Sequence, residues 1–180
     1  MQKSIISFFI IFLFFFSRVN AQDIFVKVLD GSGTLLEGES LDRSHPHEII
    51  ASSYGQQSSG CVAGGIACRA TTGNFIFNMS MGKPVNLLRK SMYLAAPLKS
   101  VDIVFRKAGA SLFEYYKIHL ENVLVTGISE GVSVGSINEM QISLDPQKFH
   151  WTYIPQSASG AAGTPVKFGY NKLTNTEFVF

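Results

Sequence analysis

Apolar and polar positions alternate along most of the chain, the period of a strand with one buried face. Over Gln22 to Leu29, Ile24, Val26 and Val28 fall on one side and Phe25, Lys27 and Leu29 on the other, and the turn formers Asp30-Gly31-Ser32-Gly33 follow. This predicts a strand covered at least partly on both faces. Val101, Ile103 and Phe105 share a face, as do Leu112, Tyr116, Ile118 and Leu120, with Glu114 breaking the second stripe. With Arg106-Lys107-Ala108-Gly109 as the connection and a third run beginning after Glu121-Asn122, residues 101–128 predict a three-stranded antiparallel meander. Phe75-Ile76-Phe77 predicts a short strand. Met140, Ile142 and Leu144, then Phe149, Trp151 and Tyr153, predict a hairpin turning across Asp145-Pro146-Gln147-Lys148, and Pro165 to Tyr170 a last strand.

The period changes once. From Pro84 to Leu94, Val85, Leu88 and Met92 recur at helical spacing, Leu87 and Leu94 widen the stripe, and Pro97 lies just beyond. Pro84 suits a first helical turn, so one helix is predicted, packed on a sheet edge or barrel end. Gly55 to Gly73, rich in Gly, Ser and Ala with little periodicity, predicts a long loop. The glycines at 127, 131 and 135 lack the Lys-Ser/Thr and the helix of a phosphate cradle, and bends in long strands explain them better. The expected fold is mainly β: a small β-barrel of about nine antiparallel strands in two packed sheets, with one α-helix.

Composition changes the picture at the N-terminus. Lys3 precedes the apolar run Ile5 to Phe16, and Val19-Asn20-Ala21 offers small residues for cleavage. Residues 1–21 therefore read as a secretory signal peptide, too short in its apolar part for a stable membrane anchor, with a single domain over 22–180. Removing Lys3 and Arg18 from 15 basic side chains leaves 13 against 13 acidic ones, a balance that favours neither nucleic acid nor an anionic membrane as partner. Export would place Cys61 and Cys68 in an oxidising compartment, where so close a pair is expected to bond. A zinc site would need further ligands, and no histidine stands at finger-like spacing.

Candidate chemistry concentrates in one polar stretch. Ser40, Asp42, His45, His47 and Glu48 supply the hydroxyl, imidazole and carboxylate of nucleophilic catalysis or of a metal site, but proximity in sequence does not assemble either, and turn and strand-entry chemistry accounts for them. Asn78-Met79-Ser80 matches a glycosylation sequon, a short pattern common by chance. The stripe Phe149, Trp151, Tyr153 has the look of a buried strand face more than of a stacking platform for sugars or bases. No catalytic residue, cofactor or metal is expected.

Gly38-Glu39-Ser40, Asp42, His45 and Glu48-Ile49 resemble the G-E-S-x-D-x-x-H-x-x-E-I pattern of the Hcp family, the haemolysin co-regulated proteins that form the tube of the bacterial type VI secretion system. Ile50 to Gly60 is similar to the family's second strand. Arg106-Lys107-Ala108-Gly109, Glu114-Tyr115-Tyr116-Lys117-Ile118 and Glu121-Asn122-Val123-Leu124-Val125 resemble its R-K-A-G, E-Y-x-K-I and E-D-V-L-V segments, with Asn122 in place of an acid. Tyr153-x-Pro155-Gln156, Gly163-x-Pro165-Val166 and Phe168-Gly169-Tyr170-Asn171 resemble its closing elements. The resemblance runs from about Ile24 to Thr174. It implies a non-enzymatic subunit that assembles into hexameric rings stacked as a tube, is exported itself, carries effectors in the lumen and meets tip and sheath components. It also implies contact between rings through a loop extended from the barrel, here the one holding the cysteines. Gly38, Glu39, Ser40, Asp42, His45, Glu48, Arg106, Lys107 and Gly109 become assembly or loop candidates. Because family members normally act without a leader, a secreted Hcp-like binding or adhesion protein outside the machine is the alternative, and a secreted hydrolase using His45 and Asp42 a distant third.

Overall fold

The structure, a computed structural model, describes residues 22–63, 66–107, 112–132, 134, 135 and 138–180, with 61–63 and 66–68 through their backbone. The leader and Gly109 lie outside the described residues, as do the side chains of Cys61 and Cys68 and any bond between them. In chain order the elements are β1 (Gln22–Leu29), β2 (Ile49–Ala63), β3 (Ile66–Ser80), α1 (Val85–Tyr93), β4 (Leu98–Lys107), β5 (Phe113–Gly131), β6 (Glu139–Tyr153), β7 (Val166–Asn171) and β8 (Thr176–Glu177).

The strands form one antiparallel sheet in the order β3-β2-β1-β4-β5-β6-β7-β8, and a further β3–β6 pairing closes its first six strands into a barrel. The expected barrel with one helix is thus present, with eight strands among the described residues, and the two packed layers are opposite walls of a single closed sheet. Closure follows from how β6 shares its edges. One edge pairs with β5 from Gly131↔Glu139 to Tyr116↔Tyr153. The other pairs with β3 over Glu139 to Leu144 and then with β7 over Lys148 to Tyr153. Beyond the closed part, β7 and β8 form a flap. Inside the barrel the alternating apolar residues meet: Val26, Ile103, Leu120 and Ile142 are wholly buried, and Phe75 packs on Phe149 at 5.2 Å between ring centroids.

Four expectations change. Residues 55–73 are mostly strand, because β2 and β3 continue as a paired hairpin past the barrel, down to Ala63↔Ile66, with Cys61 opposite Cys68 in the backbone register. Since β1 pairs with β2 only from Ile49 to Ala51 and β6 with β3 only from Phe75 to Ser80, this arm rests on its own cross-strand hydrogen bonds and needs no apolar period. Residues 101–128 hold two strands rather than three, as Asn122 takes a left-handed φ of 48° and bends β5 without ending it. No hairpin turns at Asp145 to Lys148. Pro146 stays within β6, where the second edge is between partners and a missing N–H is tolerated. Finally, α1 buries Val85 and Leu88 while Leu87 and Leu94 stay exposed, so its stripe is narrower than predicted.

Candidate functional site

The polar stretch between β1 and β2 becomes a loop folded back on itself. The Leu36 N–H donates to Val28 O (2.9 Å) and its side chain is buried, pinning the loop's start to β1. Gly38 N–H then donates to His47 O (2.7 Å), Ser40 N–H to Glu48 O (3.0 Å) and His47 N–H to Ser40 O (2.9 Å), with His47 at a φ of 59°. Gly38 is required by close approach, because a Cβ there would stand 2.4 Å from the Glu48 carbonyl oxygen.

Side chains lock this loop to the barrel wall through two adjoining clusters. In the first, the buried Arg106 guanidinium on β4 donates through Nη2 to Asp23 Oδ2 on β1 (2.9 Å) and to Asp42 Oδ2 in the loop (2.7 Å), and lies 4.5 Å over the Phe25 ring. Asp42 spends its other oxygen on the backbone, accepting from Ser44 N–H (2.8 Å) and His45 N–H (3.2 Å). In the second, the His45 ring stacks on Phe25 at 4.2 Å, with Nδ1 2.9 Å from Glu48 Oε2 and Nε2 3.1 Å from Glu114 Oε1 on β5. Phe25 thus carries the guanidinium and the imidazole on one ring.

The electrostatics follow from these contacts. The hydrogen bond from Arg106 holds the Asp42 carboxyl down to about 2, and the Asp42 carboxylate in turn raises Arg106 above its ordinary value. Burial pushes the Glu48 carboxyl up. Burial acts upward on Glu114 too, but the Lys117 ammonium at 2.6 Å and the neighbouring His45 outweigh it and hold that carboxyl below its usual range. The groups are therefore committed to each other. Ser40 Oγ accepts from Asp42 N–H (3.2 Å), and both ring nitrogens of His45 face carboxylates, so the hydroxyl–imidazole pair of a nucleophilic site is not made. Among the described residues, no group of three or more His, Cys, Asp or Glu side chains is placed to hold a metal ion.

Of the residues singled out in the sequence, Gly38, Ser40, Asp42, His45, Glu48 and Arg106 come together in this lock. Glu39 is exposed, its carboxylate beside Gly82 just ahead of α1. Lys107 stands apart, its ammonium 5.3 Å from the Tyr115 ring centroid. The sequence reading did not assign roles to Asp23, Phe25 and Glu114, yet Glu114 left a signal: the break it makes in an apolar stripe is where β5 turns a carboxylate to His45.

The family model for the type VI secretion system effector Hcp matches residues 25–153, which takes in the lock except Asp23 and reaches all six strands of the closed barrel. The chain belongs to the Hcp family. Solved structures agree on the fold. Hcp1 from Salmonella typhimurium superposes with a TM-score of 0.72 at 23% identity, covering 88% of this chain and 99% of its own. A type VI secretion system effector from Yersinia pestis superposes with a TM-score of 0.68 at 25% identity, covering 83% of this chain and 99% of its own. A further type six secretion system protein reaches a TM-score of 0.78 at 18% identity, over 88% of this chain and all of its own. Comparison with curated protein sequences yields no significant match.

Proposed function

We propose that this Hcp protein is a structural subunit of the type VI secretion tube, assembling as hexameric rings that stack end to end, leaving the cell itself and carrying effectors in the lumen. The family match over residues 25–153 carries this reading. The geometry supports it in two ways. The polar groups of the lock face each other rather than a substrate, which suits a scaffold better than an enzyme. The β2–β3 arm also extends past the barrel with outer edges that no other strand covers among the described residues, an asymmetric feature suited to the head-to-tail contacts that rings and stacks require. The loop residues Gly38 to Glu48 and Arg106 then act indirectly, by holding the wall that presents those contacts. Secreted effectors and the tip and sheath of the machine are the further partners on this reading.

Electron microscopy of residues 22–180 with native mass measurement tests the proposal. Ring-shaped particles of six copies are expected, and a strictly monomeric particle over a wide concentration range would overturn it. The apolar leader favours a second reading, in which processing at Ala21 sends an Hcp-like binding or adhesion protein out independently of the machine. Fractionation of cells separates the two, since unprocessed full-length protein retained in the cytoplasm favours the tube role.

A further inference from the structure

A row of outward side chains crosses the barrel wall strand by strand. Lys27 on β1 stands opposite Asp102 on β4, Asp102 opposite His119 on β5, His119 opposite His150 on β6, and His150 opposite Gly169 on β7. Two links are direct side-chain contacts: His119 Nδ1 lies 2.5 Å from Asp102 Oδ1, and the two imidazoles stack at 4.9 Å.

The last residues of the chain lie down on the end of this row. Phe178 N–H donates to Gly169 O (3.1 Å), continuing the β7–β8 pairing of Tyr170↔Glu177. The Phe180 ring stacks on His150 at 3.6 Å, and Lys167 Nζ reaches Phe180 O (3.0 Å) while sitting 4.7 Å from the ring centroid. Glycine at 169 makes the seat possible, because a Cβ there would stand 2.8 Å from Phe178 O and 3.1 Å from both phenyl rings.

His150 is thereby enclosed between His119 and Phe180, with Nδ1 buried and without a hydrogen-bond partner. A neutral ring fits there. An imidazolium would bury an N–H⁺ that has no acceptor, beside a second imidazole whose charged form Asp102 favours. The phenyl face attracts a cation, but lost solvation and the neighbouring charge act against it.

We infer that residues 177–180 form a strap stowed on β7 by neutral His150 and released when that imidazole takes up a proton. This goes beyond the tube reading and does not depend on it. Burial first, then His119 on β5, hold the His150 pKa down to about 4; Lys167 on β7 acts in the same direction, while Glu121 on β5 and Asp102 on β4 pull upward. Lys148 on β6 itself is turned to Glu121, at 3.5 Å. Once the strap lifts, the ring meets water and its pKa rises, to about 6.5 at most because His119 and Lys167 stay beside it. Because the stowed value is the depressed one, the hold is complete above about pH 6.5 and weakens as pH falls toward 4, by a factor of up to roughly 50 between pH 7 and 4.5. Release uncovers the outer edge of β7 at Gly169 and Tyr170, and an open strand edge is a template for pairing.

Hydrogen exchange of the Phe178 amide in the full chain, corrected for the intrinsic pH dependence of exchange, tests this. Protection is expected to fall by up to roughly 50-fold from pH 7 to pH 4.5 while the barrel amide of Ile103 keeps its own. His150→Phe, or His150→Gln if the first is poorly folded, should hold Phe178 protection constant across that range, and Phe180→Ala should lower it at both pH values. Unchanged protection in the wild type, the same pH dependence in both His150 variants, or parallel loss at Ile103 would each overturn the inference.

Discussion

The loop from Leu36 to Glu48 and the β2–β3 arm follow one another in sequence and lead opposite lives. The loop has no regular strand, yet its polar groups are tied to the barrel: Arg106, Asp42, His45, Glu48 and Glu114 form an unbroken chain of contacts around Phe25. The arm is strand over its described residues, with register shifts at Gln56/Ser58 and Ser59/Cys61, and leaves the barrel, holding on by its own ladder and by contacts such as that of the Arg69 guanidinium with the Lys172 carbonyl in the β7–β8 turn. Regularity and anchorage are thus separate properties. A segment is anchored by what its side chains meet, and an extended strand beyond the core is free to meet something else.

The sharpest way to break this contrast is to empty one side chain at each end of the same strand. Phe77, fully buried where β3 closes on β6, should cost about 3–5 kcal/mol as Phe77→Ala. Thr71→Ala, on the exposed arm, should stay within about 0.5 kcal/mol, both read from denaturant melts. Comparable losses would mean that the arm is as tightly bound as the wall. Next in size is Gly38→Ala, which forces a methyl against the Glu48 carbonyl and should cost about 1–3 kcal/mol, with lost exchange protection at Ser40 and His47. The smallest effect is an acid one. Asp42 has its carboxyl pKa depressed in the fold, so its contribution to holding the loop is complete above the ordinary carboxylate pKa of about 3.9 and is lost as pH falls through about 2. Protection of the His45 amide, which Asp42 accepts, should follow that course, and in Arg106→Gln the loss should be smaller and complete at a higher pH.

Much of the wall was legible because burial writes itself as period. β1 matches its alternating run from end to end, and α1 begins where Pro84 said it should. The errors fall where burial is not what makes the structure. The arm contains Gly, Ser, Thr and Ala because no core face asks for larger residues, so its strands left no apolar pattern. Asn122 and Pro146 are turn formers by local preference, yet the partners flanking β5 and β6 keep the chain in the sheet. The lock was half legible: the loop residues stood out as a motif, but their counterparts Asp23 and Phe25 pass as ordinary alternation in a strand, and Glu114 shows only as a break in an apolar stripe. Only folding brings the halves together.

The double duty of β6 also bears on the order in which the protein forms. Ladders β2–β3, β4–β5 and β5–β6 can zip between strands adjacent in sequence, but β1 finds β4 and β3 finds β6 only across long stretches of chain. Until those long-range pairings form, the edges of β1 and β3 and half of β6 stay open, and an open edge is where the chain is exposed to pairing with another copy. The seam between β3 and β6 is therefore a place where closing one barrel and pairing with a second copy compete in time.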